Sequence, residues 1–207
     1  INPFPSRSSR TNVFQGNPDL DPAFANAFDL GYLKRWDKMT FTSSIYYQRE
    51  TNSFERVQEE TGEVTSDGIR IIRSIPINLS TNQRIGAEAG MLYSPTKWLR
   101  LNGSFNFFQF SSEGSFNGVD YGTDNSSWFA RFSSKFTLPA KIDFQANSFY
   151  MGPRQNAQTK TKSMFSLNLA MSKDLFNENA TLSLNVSDVF NSRKRQSFTE
   201  TQFFTSD

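Results

Sequence analysis

Cysteine and histidine are both absent from the 207 residues. That removes thiol nucleophiles, disulfides, thiolate-bound metals and the usual imidazole base or ligand. Only carboxylate pairs or a Ser–Lys arrangement could still do chemistry, and no pair stands out by its spacing. A barrel enzyme, whether protease or acyltransferase, is therefore not expected, and neither is a cofactor or metal. The stretch Gly114-Ser115-Phe116-Asn117-Gly118 lies between strand-like segments with no helix after it. It reads as a flexible external turn rather than a phosphate cradle. A net charge of +2, from 22 basic and 20 acidic residues, gives no case for nucleic acid. The polar groups placed to recognise a ligand sit in long connections: Asp120, Tyr121, Asp124 and Arg154. For any one of them, an ordinary solvated loop residue is the plainer reading.

Those connections need a scaffold, and period-2 alternation supplies it. Apolar and polar positions alternate over 41–48, 85–93, 99–108, 128–138, 142–150, 165–172 and 182–187. Weaker candidates lie at 24–33 and 196–205, and no segment makes a convincing helix. The composition agrees: 22 phenylalanines accompany abundant Ser, Thr and Asn, and the mean hydropathy is −0.56. Such a mixture suits a sheet with one apolar face and one wet face. No run approaches the ~20 apolar residues of a membrane helix, but a barrel strand needs only about 10 of alternating character. Ile1–Arg10 lacks the apolar run of a signal peptide, so an exported form would begin upstream.

The connections alternate in length. Lys34–Lys38, Ser94–Lys97, Leu138–Lys141 and Asp174–Asn179 read as tight turns. Glu59–Gly68, Ser111–Asn125, Gly152–Lys162 and the stretch from Asn191 read as longer polar loops. Outer-membrane barrels have this asymmetry, with short periplasmic turns and longer external loops. Trp36 and Trp98 fall at short turns, and Tyr32, Tyr93 and Tyr150 near strand ends, as in an interfacial aromatic girdle. Rings capping a soluble core would look similar. One set of alternate positions is polar: Glu88, Arg100, Asn102, Asn106, Arg131, Lys135, Asp143, Gln145, Asn147, Asn168 and Asn185. In a wide barrel this set lines a wet lumen; in a sandwich it faces solvent.

Several motifs carry a family resemblance. Gly16-Asn17-Pro18-Asp19-Leu20-Asp21-Pro22 resembles the Gly-Asn-Pro-x-Leu-x-Pro segment that opens the late strands of TonB-dependent receptors, with Ala23 where they usually have Glu. Its two prolines keep the segment out of a strand ladder. Ile45-Tyr46-Tyr47-Gln48-Arg49 is similar to a recurrent strand segment of that family. Ser187-Asp188-Val189-Phe190-Asn191 resembles its Asp-x-Phe-Asn motif near the barrel end. Asp188 also reads simply as a strand-end turn residue. Tyr93-Ser94-Pro95-Thr96-Lys97-Trp98-Leu99 is similar to a periplasmic turn of Bacteroidetes members.

The resemblance spans about Ile1 to Phe204 and implies an all-β fold: an antiparallel meander of eight or nine strands, part of a large transmembrane barrel of about 22. Residues 1–22 would be an external lead-in and 23–207 the C-terminal barrel strands, with plug, early strands and final strand outside this sequence. The implied function is energised uptake of a bulky nutrient (a chelate, glycan, vitamin or peptide) across the bacterial outer membrane. The implied partners are the lipid bilayer, TonB through the plug, the barrel-assembly machinery and, in glycan and peptide transporters, a surface lipoprotein lid. Two alternatives stay open: a passive porin or structural barrel, and a soluble β-sandwich adhesin.

Overall fold

A computed structural model describes residues 4–7, 9–78, 81–116, 118–155, 159–200 and 205–206. Ten long strands follow in chain order: β1 (Phe24–Arg35), β2 (Met39–Thr51), β3 (Phe54–Val64), β4 (Arg70–Asn78), β5 (Thr81–Thr96), β6 (Leu99–Glu113), β7 (Thr123–Leu138), β8 (Ile142–Met151), β9 (Met164–Leu175) and β10 (Ala180–Val186). Eight of them form one antiparallel wall in the order β1-β2-β5-β6-β7-β8-β9-β10. β3 and β4 leave the wall as a hairpin ribbon between β2 and β5.

The registers sort the side chains. Phe28 opposes Tyr47, Leu30 opposes Ile45, Ala87 opposes Phe107, Phe107 opposes Trp128, and Phe136 opposes Phe144. All stand on one face. One residue along, Ser44 opposes Glu88, Glu88 opposes Asn106, Lys135 opposes Gln145, and Asn147 opposes Asn168. A period of two produces this separation, since slipping any strand by one residue would exchange the faces. The apolar face is left open: Leu30 is 71% exposed, and Phe28, Ile45, Ile85, Phe105, Phe107 and Leu184 are also exposed. A soluble sandwich would lay a second sheet over that face. No second sheet covers it among the described residues, which counts against the sandwich alternative.

The buried core is small and lies outside the wall. Val57 (0% exposed) and Ile77 of the ribbon pack with Tyr121 of the β6–β7 connection, with Ile75 beside them. The lead-in joins this ribbon, because Asn12–Phe14 runs parallel to β4, with Val13 opposite Arg73.

Four expectations need correcting. Glu59–Gly68 is mostly strand, and only residues 65–69 turn, closed by hydrogen bonds between Thr65 and Ile69. Its sequence hides this because the ribbon buries one face against a short loop rather than against a sheet. Ser94–Thr96 stays in β5, the turn shrinks to Lys97–Trp98, and the register shifts between Tyr93 and Thr96. A bulge there accommodates Pro95, which has no amide to donate. The glycine-containing stretch forms a small hairpin, Ser115–Phe116 against Val119–Asp120, with Asn117 outside the described residues. Segment 196–205 does not join the wall: Ser197–Glu200 pairs with Thr159–Thr161 in a separate small sheet, and 201–204 lie outside the described residues.

Candidate functional site

The polar face of the wall is a surface of cross-strand hydrogen bonds. The Tyr46 Oη donates to Asn106 Oδ1 at 3.1 Å, and Asn106 Nδ2 donates to Glu88 Oε2 at 3.4 Å. Ser44 Oγ donates to Glu88 Oε1 at 3.2 Å, which closes a four-residue network over β2, β5 and β6. Tyr46 can lie flat there because Gly86 stands opposite it. Nearer the short turns, Lys135 Nζ lies 2.9 Å from Asp143 Oδ2, and Thr137 donates to the same carboxylate at 2.8 Å. A hollow beside this network is lined by Asn102, Ser133, Asn147, Asn168, Arg131 and Arg193. The Arg131 guanidinium lies over both Phe129 (5.8 Å) and Phe149 (5.4 Å). This face can stand against water or a folded polar body, but not against hydrocarbon.

Aromatic residues mark two levels on the apolar face. At the short-turn end, Trp98 stacks on Phe136 with centroids 6.3 Å apart, while Trp36 is exposed at its turn and Tyr93 lies opposite Met39. At the other end, Trp128 stacks on Tyr150 at 4.2 Å and leans on Phe105 at 5.7 Å. Trp128 and Phe136 are eight residues apart on β7 (136 minus 128), or roughly 26 Å of strand. Tilted by the usual ~45°, that is a rise of roughly 18 Å, so both levels fall within the ~25 Å apolar band of an outer-membrane barrel. Trp128 escapes the sequence reading as a girdle residue because it sits inside a strand rather than beside a turn.

The motif residues are structural pins. Asn17 Oδ1 accepts from the Asp19 amide at 2.9 Å, and its Nδ2 donates to the Pro76 carbonyl at 3.2 Å. Asn78 then clamps the end of the run: its Oδ1 accepts from the Asp21 amide at 2.9 Å, and its Nδ2 donates to the Asp21 and Asn52 carbonyls. Gly16 and Leu20 are half-buried along this seam, while Pro18 and Pro22 are exposed and break the ladder. At the far end, Val186 opposes Leu169, so the same register would set residue 188 opposite Leu167. Instead the Val189 amide reaches the Leu167 carbonyl at 2.8 Å. The extra residue makes a bulge held by Asp188, whose φ is 50°. Its carboxylate accepts from the Ser192 and Arg193 amides at 3.0 Å each, and its own amide donates to Asn168. Asn191, with φ 49°, donates its amide to the Asp188 carbonyl. The bulge follows Ser187 and brings Phe190 over the Phe165 ring, at 6.1 Å.

The loop candidates do not form one site. Tyr121 is only 6% exposed and fills the ribbon core; burial and the Glu59 charge push its phenol up. Its ring packs in one buried cluster with Val57 and Ile77, which makes it a packing residue of the ribbon. Asp120 accepts from the Gly122 amide at 2.8 Å as a turn residue. Asp124 lies within β7 and accepts from Gln109 at 3.2 Å. Arg154 lines a second hollow at the long-loop end, with Arg84, Arg195, Phe108, Phe110 and Glu55. Arg84 lies over Phe108 (5.1 Å) and Phe110 (5.7 Å). Burial raises the Glu55 carboxyl above its ordinary range, with the nearby Glu50 charge adding and a bond from its neighbour's backbone opposing.

Arg84, Arg195, Phe108 and Phe110 were not singled out from the sequence. The signal was a break in alternation: Phe108 and Phe110 fall in register with the polar residues Ser127 and Asn125 of β7. No metal-binding group of three or more acidic residues occurs among the described residues.

The sequence profile of the outer membrane protein beta-barrel family matches residues 1–207. No match is found among the curated proteins. An uncovered apolar face, two aromatic levels, a hydrogen-bonded polar face and short turns opposite long loops are what such a barrel wall requires. The chain belongs to the outer membrane protein beta-barrel family and resides in the bacterial outer membrane.

Proposed function

We propose that this chain supplies wall and external loops to a TonB-dependent transporter that takes up a bulky nutrient: a chelate, glycan, vitamin or peptide. The observation that carries the reading is the pair of motifs, Gly16–Pro22 and Ser187–Asn191, bracketing eight wall strands in the order that family uses. Both now have a physical task, one pinning the lead-in to the ribbon and the other holding the last bulge. The polar face supports the same reading, since its asparagines, serines and arginines suit contact with a folded plug.

The edges of the wall bear on barrel size. Among the described residues β1 and β10 pair with no further wall strand. Open edges cost several kcal/mol per bare backbone group in lipid, so this reading gives the barrel further strands beside β1 and β10. TonB would act through the plug, the barrel-assembly machinery would insert the wall, and a surface lipoprotein lid would sit over the long loops. The chain does no chemistry on its cargo.

Planar-bilayer recording and cell uptake test this reading together. The full-length protein should be electrically closed, and cells should lose its cargo uptake when the inner-membrane proton gradient is collapsed or TonB is deleted. Steady ohmic conductance with uptake indifferent to the gradient would establish a passive porin instead.

A further inference from the structure

We infer that the hollow at the long-loop end of the polar face binds an anionic ligand through Arg84, Arg154 and Arg195, with Phe108 and Phe110 as its apolar side. The inference deepens the transport reading by naming a ligand class, yet binding itself does not depend on that reading.

Three guanidinium groups reach this hollow from distant parts of the chain: β5, the β8–β9 connection and the segment after β10. Gathering like charges is unfavourable unless a counter-charge arrives. The hollow's one carboxylate is Glu55, so its lining carries an excess of positive charge. None of the three arginines makes an ion pair among the described residues. Two arginines of the nearby ribbon are used differently: Arg70 pairs with Glu60 and Arg73 with Glu59.

Arg84 is also held ready. Two phenyl rings lie against its guanidinium, at 5.1 and 5.7 Å. A stacked guanidinium keeps its in-plane donors available, and their fork matches a carboxylate or phosphate two oxygens at a time. Asn125 adds an amide beside them. The arrangement suits a ligand with two or more anionic groups and an apolar or ring portion to lie on the phenyls.

The test is calorimetric titration of the full-length protein in detergent with citrate, with inorganic phosphate and with the neutral sugar raffinose. The expected result is one binding site for at least one of the two anions and no heat from raffinose. The tighter anion identifies the recognised group. Arg84→Gln, Arg154→Gln and Arg195→Gln should each weaken binding about tenfold, as loss of a charge-assisted bond does. Phe108→Leu should weaken it less. Unchanged affinity in the three single variants, or heat from neither anion, overturns the inference. Circular dichroism of each variant confirms folding, and the single substitutions keep the test decisive if a triple variant does not assemble. Anion binding without energised uptake would sink the transport reading alone; energised uptake without anion binding would sink this one alone.

Discussion

Gly86→Ala is a demanding test of the wall's polar face. Gly86 opposes Tyr46 on one side and Phe108 on the other. Its backbone is ordinary strand, so the effect is steric rather than conformational. A Cβ there would lie 2.5 Å from the Tyr46 ring and 2.6 Å from the Phe107 carbonyl oxygen. The ring can swing away, but only by surrendering its hydrogen bond to Asn106. The carbonyl belongs to the ladder and cannot move without disturbing β6. Overpacking of this kind costs about 1–3 kcal/mol and a lost hydrogen bond about 1 kcal/mol, so the substitution should destabilise by about 2–4 kcal/mol. Tyr46→Phe removes the bond without the clash and should cost only about 1 kcal/mol. Tyr46→Ala should make a following Gly86→Ala less costly, because the ring contact is then gone. The assay is equilibrium urea unfolding of the full-length protein in lipid vesicles, read by tryptophan fluorescence. A Gly86→Ala midpoint indistinguishable from wild type would refute the reasoning, since it would mean that the Tyr46 ring does not lie over Gly86.

Two further predictions follow from the faces and the ribbon. Phe132→Arg, midway between the two aromatic levels, places a charge on the apolar face and should cost about 2–4 kcal/mol, whereas Ser133→Arg on the polar face should be near neutral; equal costs in vesicle unfolding would contradict the assignment of faces. The folded Glu55 carboxyl titrates above its unfolded value, so its charged form is the disfavoured one. Its cost is therefore absent below the ordinary carboxylate range and complete above the raised value, and ribbon stability falls as pH rises through that window. Amide exchange in Phe54–Val64 should accordingly be slower at the acid end once corrected for intrinsic rates, and Glu55→Gln should remove the difference; an unchanged pH dependence in that variant would contradict the assignment.

Much of the wall was legible because a strand with one face in hydrocarbon and one in water must alternate. Residues 85–93 and 99–108 carry that code strongly enough to specify both strand and face, and the polar set from Glu88 to Asn185 falls on one side as expected. The weaker segment 24–33 also proves to be a full wall strand, β1. The ribbon was not legible. Val57, Ile75 and Ile77 are interspersed with Glu and Arg, and their burial depends on Tyr121, 64 residues beyond Val57 (121 minus 57). Alternation also cannot report where Pro95 is absorbed by a bulge, since the shift shows only against the partner strand.

The same division holds for the candidate site. Period-2 chemistry within one strand is local, so composition and alternation alone separate a lipid face from a wet face and mark the connections as short or long. Convergence is not local. Arg84, Arg154 and Arg195 are far apart in the chain, and none of them neighbours a motif that would join them. Only the folded wall, by setting β5 and β6 beside the loops after β8 and β10, brings three positive charges and two phenyl rings to one hollow.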